Sequence, residues 1–151
     1  MSGQPVPRLK LRGFLPADAG AVARVNEVCA DALWGEVPAT REEAAGWPTD
    51  HFLVAEVDGA VVGFARGEVK VANEVCIMPD GERYLELEGV YVRPEFQRRG
   101  IGSALLERLV AEARAAGLTR FQVYTGSRTL DDALRFYRRA GFGTWYARLF
   151  I

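Results

Sequence analysis

Apolar and polar positions alternate in residues 9–14, LKLRGF, with the two-residue period of a strand. The period then lengthens. Asp18 is placed as a helix N-cap, and Val22, Val25, Val28, Cys29, Ala32 and Leu33 follow at helical spacing. Thr40-Arg41-Glu42-Glu43 has the S/T-x-x-E form of a capping box, so a short second helix is predicted there. Residues 52–57 and 61–69 read as strands flanking Asp58-Gly59, a pair suited to a type I′ hairpin turn. Residues 84–92, YLELEGVYV, make another strand, and Pro94 turns the chain.

After Gly100 the pattern is helical again. Ile101, Leu105, Leu109 and Ala113 form one apolar stripe, which Leu106 and Val110 widen, and Gly117 ends it. Residues 121–125 are a short strand. Asp131 or Asp132 caps a further helix that Gly141 closes, and residues 142–150 read as a last strand. The predicted order is β-α-α-β-β-β-α-β-α-β, an α/β (α+β) chain with a mixed sheet and helices on both faces. Its 151 residues, without repeat or Gly/Ser linker, fit one domain over residues 1–151.

Composition narrows the function classes. Hydrophobic residues make up 49% and charged residues 26%, as in a soluble globular protein. No apolar run approaches the roughly 18–20 residues of a membrane helix, and the N-terminus lacks a signal-peptide core, so a cytoplasmic protein without membrane partners is expected. His51 is the only histidine, which argues against a zinc site or a Ser-His triad, and no metal is expected. Cys29 and Cys76 have no CxxC spacing and read as reduced structural residues. The net charge of −1 conceals an asymmetry. Residues 1–92 carry 8 Lys/Arg against 15 Asp/Glu, and residues 93–151 carry 11 Arg against 5 Asp/Glu. Either these are ordinary solvated faces, or the C-terminal half meets an anionic ligand and the N-terminal half a cationic one. Nucleic acid is disfavoured because the whole chain is not basic.

The strand–turn–helix around Gly100 is the candidate anion site. First-turn amides of a helix lack carbonyl partners and carry the positive end of its dipole. Gly100 and Gly102 let a phosphate approach the backbone, and Arg98 and Arg99 add charge-assisted bonds. The alternative is a plain glycine-bearing turn. Residues 100–103, GIGS, are not a Walker loop, and residues 100–105, GIGSAL, miss the third glycine of a dinucleotide fingerprint.

Gln97-Arg98-Arg99-Gly100-Ile101-Gly102 resembles the Q/R-x-x-G-x-G/A loop of the GNAT superfamily of N-acetyltransferases. LEGVYVRPEF upstream and ALRFYRRAGF downstream extend the resemblance over about residues 84–142. It implies a GNAT-like, mostly antiparallel central sheet. It also implies that Gln97, Arg98, Arg99, Gly100, Ile101, Gly102 and Ser103 hold the pyrophosphate of acetyl-CoA, used as cosubstrate. Val90, Tyr91 and Val92 would pair with the pantetheine arm, and a splay between that strand and residues 121–125 would admit the thioester. Relatives are often dimers, which makes a homodimer possible.

Acetyl transfer to an amine needs a base, an oxyanion donor and a proton for the departing thiolate. Glu86 and Glu88 lie two apart on one strand and so share a face. They are either solvated strand residues or the base and its partner. Glu86 lies eleven residues before Gln97, where some relatives carry a base, and Leu-Glu-Gly at Glu88 is like that of some aminoglycoside-type enzymes. Tyr137 lies on the stripe Ala133, Tyr137, Ala140. It is a core residue or, on the resemblance, the acid. Leu130 departs from the asparagine many relatives carry seven residues before this tyrosine. Trp34, Trp47 and His51 either wall the acceptor site or belong to the core. The expected function is acetyl transfer to the primary amine of a small molecule. The alternatives are protein N-terminal or lysine acetylation, or a non-catalytic acyl-CoA sensor.

Overall fold

The computed structural model describes residues 8–30, 37–75, 77–125, 130–144 and 151. Trp34, Glu36, Cys76 and most of the predicted last strand lie outside the described residues. Five strands form one sheet in the order β1-β2-β3-β4-β5. They are β1 (Leu9–Gly13), β2 (Phe52–Val57), β3 (Ala60–Val71), β4 (Arg83–Val92) and β5 (Phe121–Val123). The first four pair antiparallel, and β5 joins β4 in parallel. The predicted mixed, mostly antiparallel sheet is therefore what forms. Among the described residues no helix is long and apolar enough to cross a membrane.

Alternation sorts the strand side chains onto two faces. Leu53, Ala55, Ala65, Leu85, Leu87 and Val92 pack under α3 (Ile101–Ala115) with Leu105, Leu106, Leu109 and Ala113. Tyr137 of α4 (Leu130–Arg139) belongs to the same cluster. Phe52, Val54 and Phe64 face the other way. They pack against Val22, Val25 and Cys29 of α1 (Ala19–Cys29) and Ala44 of α2 (Arg41–Ala45). Helices thus cover both faces, as the pattern predicts.

Local chemistry sets most element ends. Asp58 and Gly59 both have positive φ, as a type I′ turn requires. Thr40 and Glu43 complete their capping box: the Glu43 N–H donates to Thr40 Oγ1 at 3.2 Å, and the Thr40 N–H to Glu43 Oε2 at 2.7 Å. Two expectations need correction. Asp18 stands at the N-cap of α1 but makes no cap bond. Arg12 grips its carboxylate at 2.7 and 2.8 Å, and it also accepts the Leu15 N–H. Asp131 and Asp132 lie within the first turn of α4, which already begins at Leu130.

The α3 stripe carries much of the larger core. Leu105 is fully buried against the sheet. Leu105→Ala is expected to cost about 2–5 kcal/mol by loss of transfer energy and creation of a cavity. Denaturant unfolding of the variant checks this; a loss well under 1 kcal/mol would mean that the α3 seam is loosely packed.

Candidate functional site

The site begins with the end of pairing between β4 and β5. Leu85, Glu86 and Leu87 face Phe121, Gln122 and Val123, and β5 then stops while β4 runs on to Val92. A β-bulge marks the same point: Arg66 pairs with Gly89 and Gly67 with Leu87, so Glu88 is an extra residue on β4. The Arg93 N–H donates to Val62 O on β3. Backbone groups alternate along a strand, so those of Val90 and Val92 point to the other edge. Val92 O accepts Gln97 Nε2 at 2.9 Å and the Cys29 thiol at 3.4 Å there. Cys29 is a buried free thiol, and burial pushes its pKa up to about 11. The Gln97 side chain thus braces the strand end.

The helix beyond the loop starts beside that edge. Gly100 is the N-cap of α3 in the left-handed conformation, φ +80°, which explains a glycine there better than space does. Among the described residues no side chain caps α3, and no acidic residue lies in its first turn. The amides of Ile101, Gly102 and Ser103 therefore keep their donor capacity. Gly102 lies between α4 and β4: a Cβ on it would meet Phe136 at 3.5 Å and Val90 at 3.7 Å. Arg98 also adopts positive φ, and Arg99 lies over the Phe96 ring. Among the described residues neither arginine pairs with a carboxylate.

On the α1 face of the sheet the bulge leaves Glu86 and Glu88 together. Lys70 Nζ lies 2.7 Å from Glu86 Oε2 and 3.8 Å from Glu88 Oε1. The predicted sharing of a face thus takes the form of one ammonium reaching both carboxylates. The Glu86 carboxylate raises the pKa of Lys70 by accepting its hydrogen bond. Arg66 pairs with Glu68 at 2.9 Å and lies 4.0 Å over the Trp47 ring. Trp47 is half-buried against Phe52 and Phe64, so it is both a core residue and the edge of this face. His51 turns the chain before β2 with φ +56°, its carbonyl accepting the Gly67 N–H. Tyr91 packs on Phe64, with its ring directly over Gly89, where a Cβ would lie 2.1 Å from it. Sequence reasoning missed Arg66, Glu68 and Lys70. Their two-residue spacing on β3 was the available signal.

Tyr137 lies on the α3 side, with its ring edge-on to Phe136 and Phe142. Burial, and then the neighbouring Tyr91, push its pKa up to about 12. Phe136 brings α4 against Gly102 and Val90, so Tyr137 sits on the helix that closes over the start of α3.

The sequence pattern of the acetyltransferase (GNAT) family matches residues 22–142. An aminoglycoside N(6′)-acetyltransferase type 1 of Stenotrophomonas maltophilia is 33% identical over 137 residues, 87% of this chain and 84% of its own length. An uncharacterized N-acetyltransferase of Methanocaldococcus jannaschii is 30% identical over 93 residues, 62% of this chain, which spans only 39% of that relative. A solved aminoglycoside N-acetyltransferase in complex with CoA superposes with TM-score 0.73 at 17% identity, over 97% of this chain and 95% of its own.

The Tyr137 hydroxyl gives a pH test of this geometry. Its folded pKa stands above the ordinary value of 10, so burial favours the protonated phenol. The stability this contributes is fully present below pH 10 and is lost as pH rises through about 12. Phenolate absorbance of wild type minus Tyr137→Phe should rise with a midpoint near 12; a midpoint near 10 would place the ring in water.

Proposed function

Because the chain belongs to the acetyltransferase (GNAT) family, we propose that it moves the acetyl group of acetyl-CoA directly to the primary amine of a small molecule. The observation that carries this reading is the parting of β4 from β5 after Leu87, beside an uncapped helix N-terminus. The residues present fit the cofactor. The amides of Ile101, Gly102 and Ser103 at the positive end of α3 suit a pyrophosphate, with Arg98 and Arg99 beside them. The outward backbone of Val90 and Val92, with Tyr91 between them, suits an amide-bearing arm. Bound acetyl-CoA supplies an acyl carbon carrying a thiolate leaving group.

The protein's own groups supply the rest. A primary amine titrates near 10.4 and arrives as an ammonium. Glu86 and Glu88 attract it, and one of them takes a proton at a carboxylate oxygen, directly or through water. The Val90 N–H points into the opening and can donate to the carbonyl oxygen. The C–N bond forms as the C–S bond breaks, the second proton leaves the nitrogen for solvent, and Tyr137 Oη donates to the departing sulfur. Solvent then returns the proton balance of Tyr137. The small-molecule acceptor is favoured by the likeness to the Stenotrophomonas enzyme, whose name assigns it an aminoglycoside.

Three predictions test this. Gly102→Ala should fold normally, since its Cβ finds ordinary contacts at 3.5 and 3.7 Å. Gly102→Asp should weaken acetyl-CoA at least about tenfold, or 1.4 kcal/mol, in calorimetry. Unchanged affinity in a folded variant removes the loop from the cofactor site. In thiol-release assays with a panel of primary amines, Tyr137→Phe should lower kcat about 10²-fold without changing cofactor affinity. Of Glu86→Gln and Glu88→Gln, the variant lacking the base should lose kcat and recover as pH rises, while one that only binds should raise KM. Wild-type behaviour of both across pH 6 to 9 would place the amine elsewhere.

A further inference from the structure

Three carboxylates and two cations share one row on the α1 face of β3 and β4. Glu68 stands directly opposite Glu86, a like-charge pair. Arg66 draws Glu68 away at 2.9 Å, which leaves Lys70 as the cation for Glu86 and Glu88. Tyr84 lies opposite Lys70 on β4, and Tyr124 follows β5 nearby. The two ends of the lysine contact differ in freedom. The Glu86 side chain is 13% exposed, whereas that of Lys70 is 44% exposed on a flexible four-carbon stem.

This bears on any cationic acceptor. The carboxylates proposed to receive an ammonium already hold one. An incoming ammonium that met the pair with Lys70 in place would find its charge half neutralised and a like charge within reach. With Lys70 swung into water, the same place offers two carboxylates. The Lys70 ammonium is half exposed on a flexible stem, so it can move into water while the incoming ammonium takes its place on the Glu86 carboxylate.

We infer that Lys70 is a specificity-determining residue: its ammonium occupies the acceptor's cation seat between Glu86 and Glu88, and a cationic acceptor binds by displacing it. The inference rests on the reading of that pair as the place where the amine enters. A lysine there acts as a threshold. Neutral molecules have no means to displace it, single cations compete with it evenly, and acceptors with several ammonium groups gain from contacts beyond the pair. Arginine in its place should hold the seat more firmly, because its fork can engage both carboxylates at once.

The test uses n-butylammonium chloride, a copy of the lysine side chain, titrated into the full chain loaded with CoA, which has no acetyl group to give, and followed by NMR. Lys70→Ala should bind the probe at least about fivefold more tightly than wild type, and Lys70→Arg no more tightly than wild type. Adding Glu86→Gln to Lys70→Ala should abolish the gain. In the thiol-release assay, Lys70→Ala should lower KM for a primary diamine with little change in kcat. Equal probe affinity in wild type and Lys70→Ala, or a gain that survives Glu86→Gln, overturns the inference. The underlying reading fails separately, if Glu86→Gln and Glu88→Gln both leave acetyl transfer to amines untouched.

Discussion

Strand β4 cannot keep two partners along its whole length, and the site is built on that failure. The extra residue at Glu88 twists the strand against β3, and pairing with β5 ends one residue earlier, at Leu87. Backbone amides and carbonyls need partners wherever water is excluded. Val92 O finds two within the chain, the Gln97 amide and the Cys29 thiol. Among the described residues no strand pairs with the outward groups of Val90. A segment that offers amide-like groups in extended form can complete the sheet there. The bulge also turns Glu88 toward the ammonium that Glu86 holds, so one local irregularity opens an edge and assembles a charged pair. Tyr91 lying on Gly89 shows how little room remains beside it, since no other residue at 89 avoids the ring.

Charge is sorted at shorter range than the halves of the chain suggest. Several acidic residues of positions 1–92 are met by partners close at hand. Asp18 and Glu56 serve Arg12, whose multiple hydrogen bonds hold the Asp18 carboxyl below the usual carboxylate range. Glu43 caps α2, Glu27 meets Arg24, and Glu82 meets Arg120. What is left near the opening is the row of Arg66, Glu68, Lys70, Glu86 and Glu88. On the other side several arginines are also engaged: Arg93 with Glu95, Arg108 with Glu112, and Arg135 with Asp132. Arg98 and Arg99 have no carboxylate partner among the described residues, and they stand beside the α3 N-terminus, where unneutralised cations suit an anion.

Features set by near neighbours could be read from the sequence, and features set by cross-strand register could not. The stripe Ile101, Leu105, Leu109 and Ala113 is buried throughout, because helical spacing alone places it. The Asp58-Gly59 turn and the Thr40-Glu43 box depend on residues within three positions of each other, and both form. The bulge at Glu88 depends on how β3 aligns with β4, sixteen or more residues away, and YLELEGVYV reads as a plain alternating strand. Lys70 was overlooked for the same reason. Its alternation with Arg66 and Glu68 was visible, but only register puts it beside Glu86. Asp18 looked like a cap because its position is right; a guanidinium on β1 outcompeted the helix amides for its oxygens. The loop was legible in its glycines, while the left-handed turn at Arg98, a residue that rarely adopts it, was not.

Burial of Tyr137 also constrains how it can act. A phenol with a pKa near 12 keeps its proton at any ordinary pH, so it is always available as a donor. It is also a weaker acid than a thiol, whose ordinary pKa is about 8.5. Complete transfer to a free thiolate would thus run uphill by several pH units. The gain must come while negative charge is still developing on sulfur. A hydrogen bond to a charged acceptor strengthens where water is scarce, and Tyr137 is buried beside Phe136 and Phe142. The same aromatic shell that makes the phenol a poor acid makes it a strong donor. In the proposed reaction Tyr137 would thus stabilise the leaving sulfur by donation, and the proton would move over fully only as solvent or the amine's own proton restores the phenol.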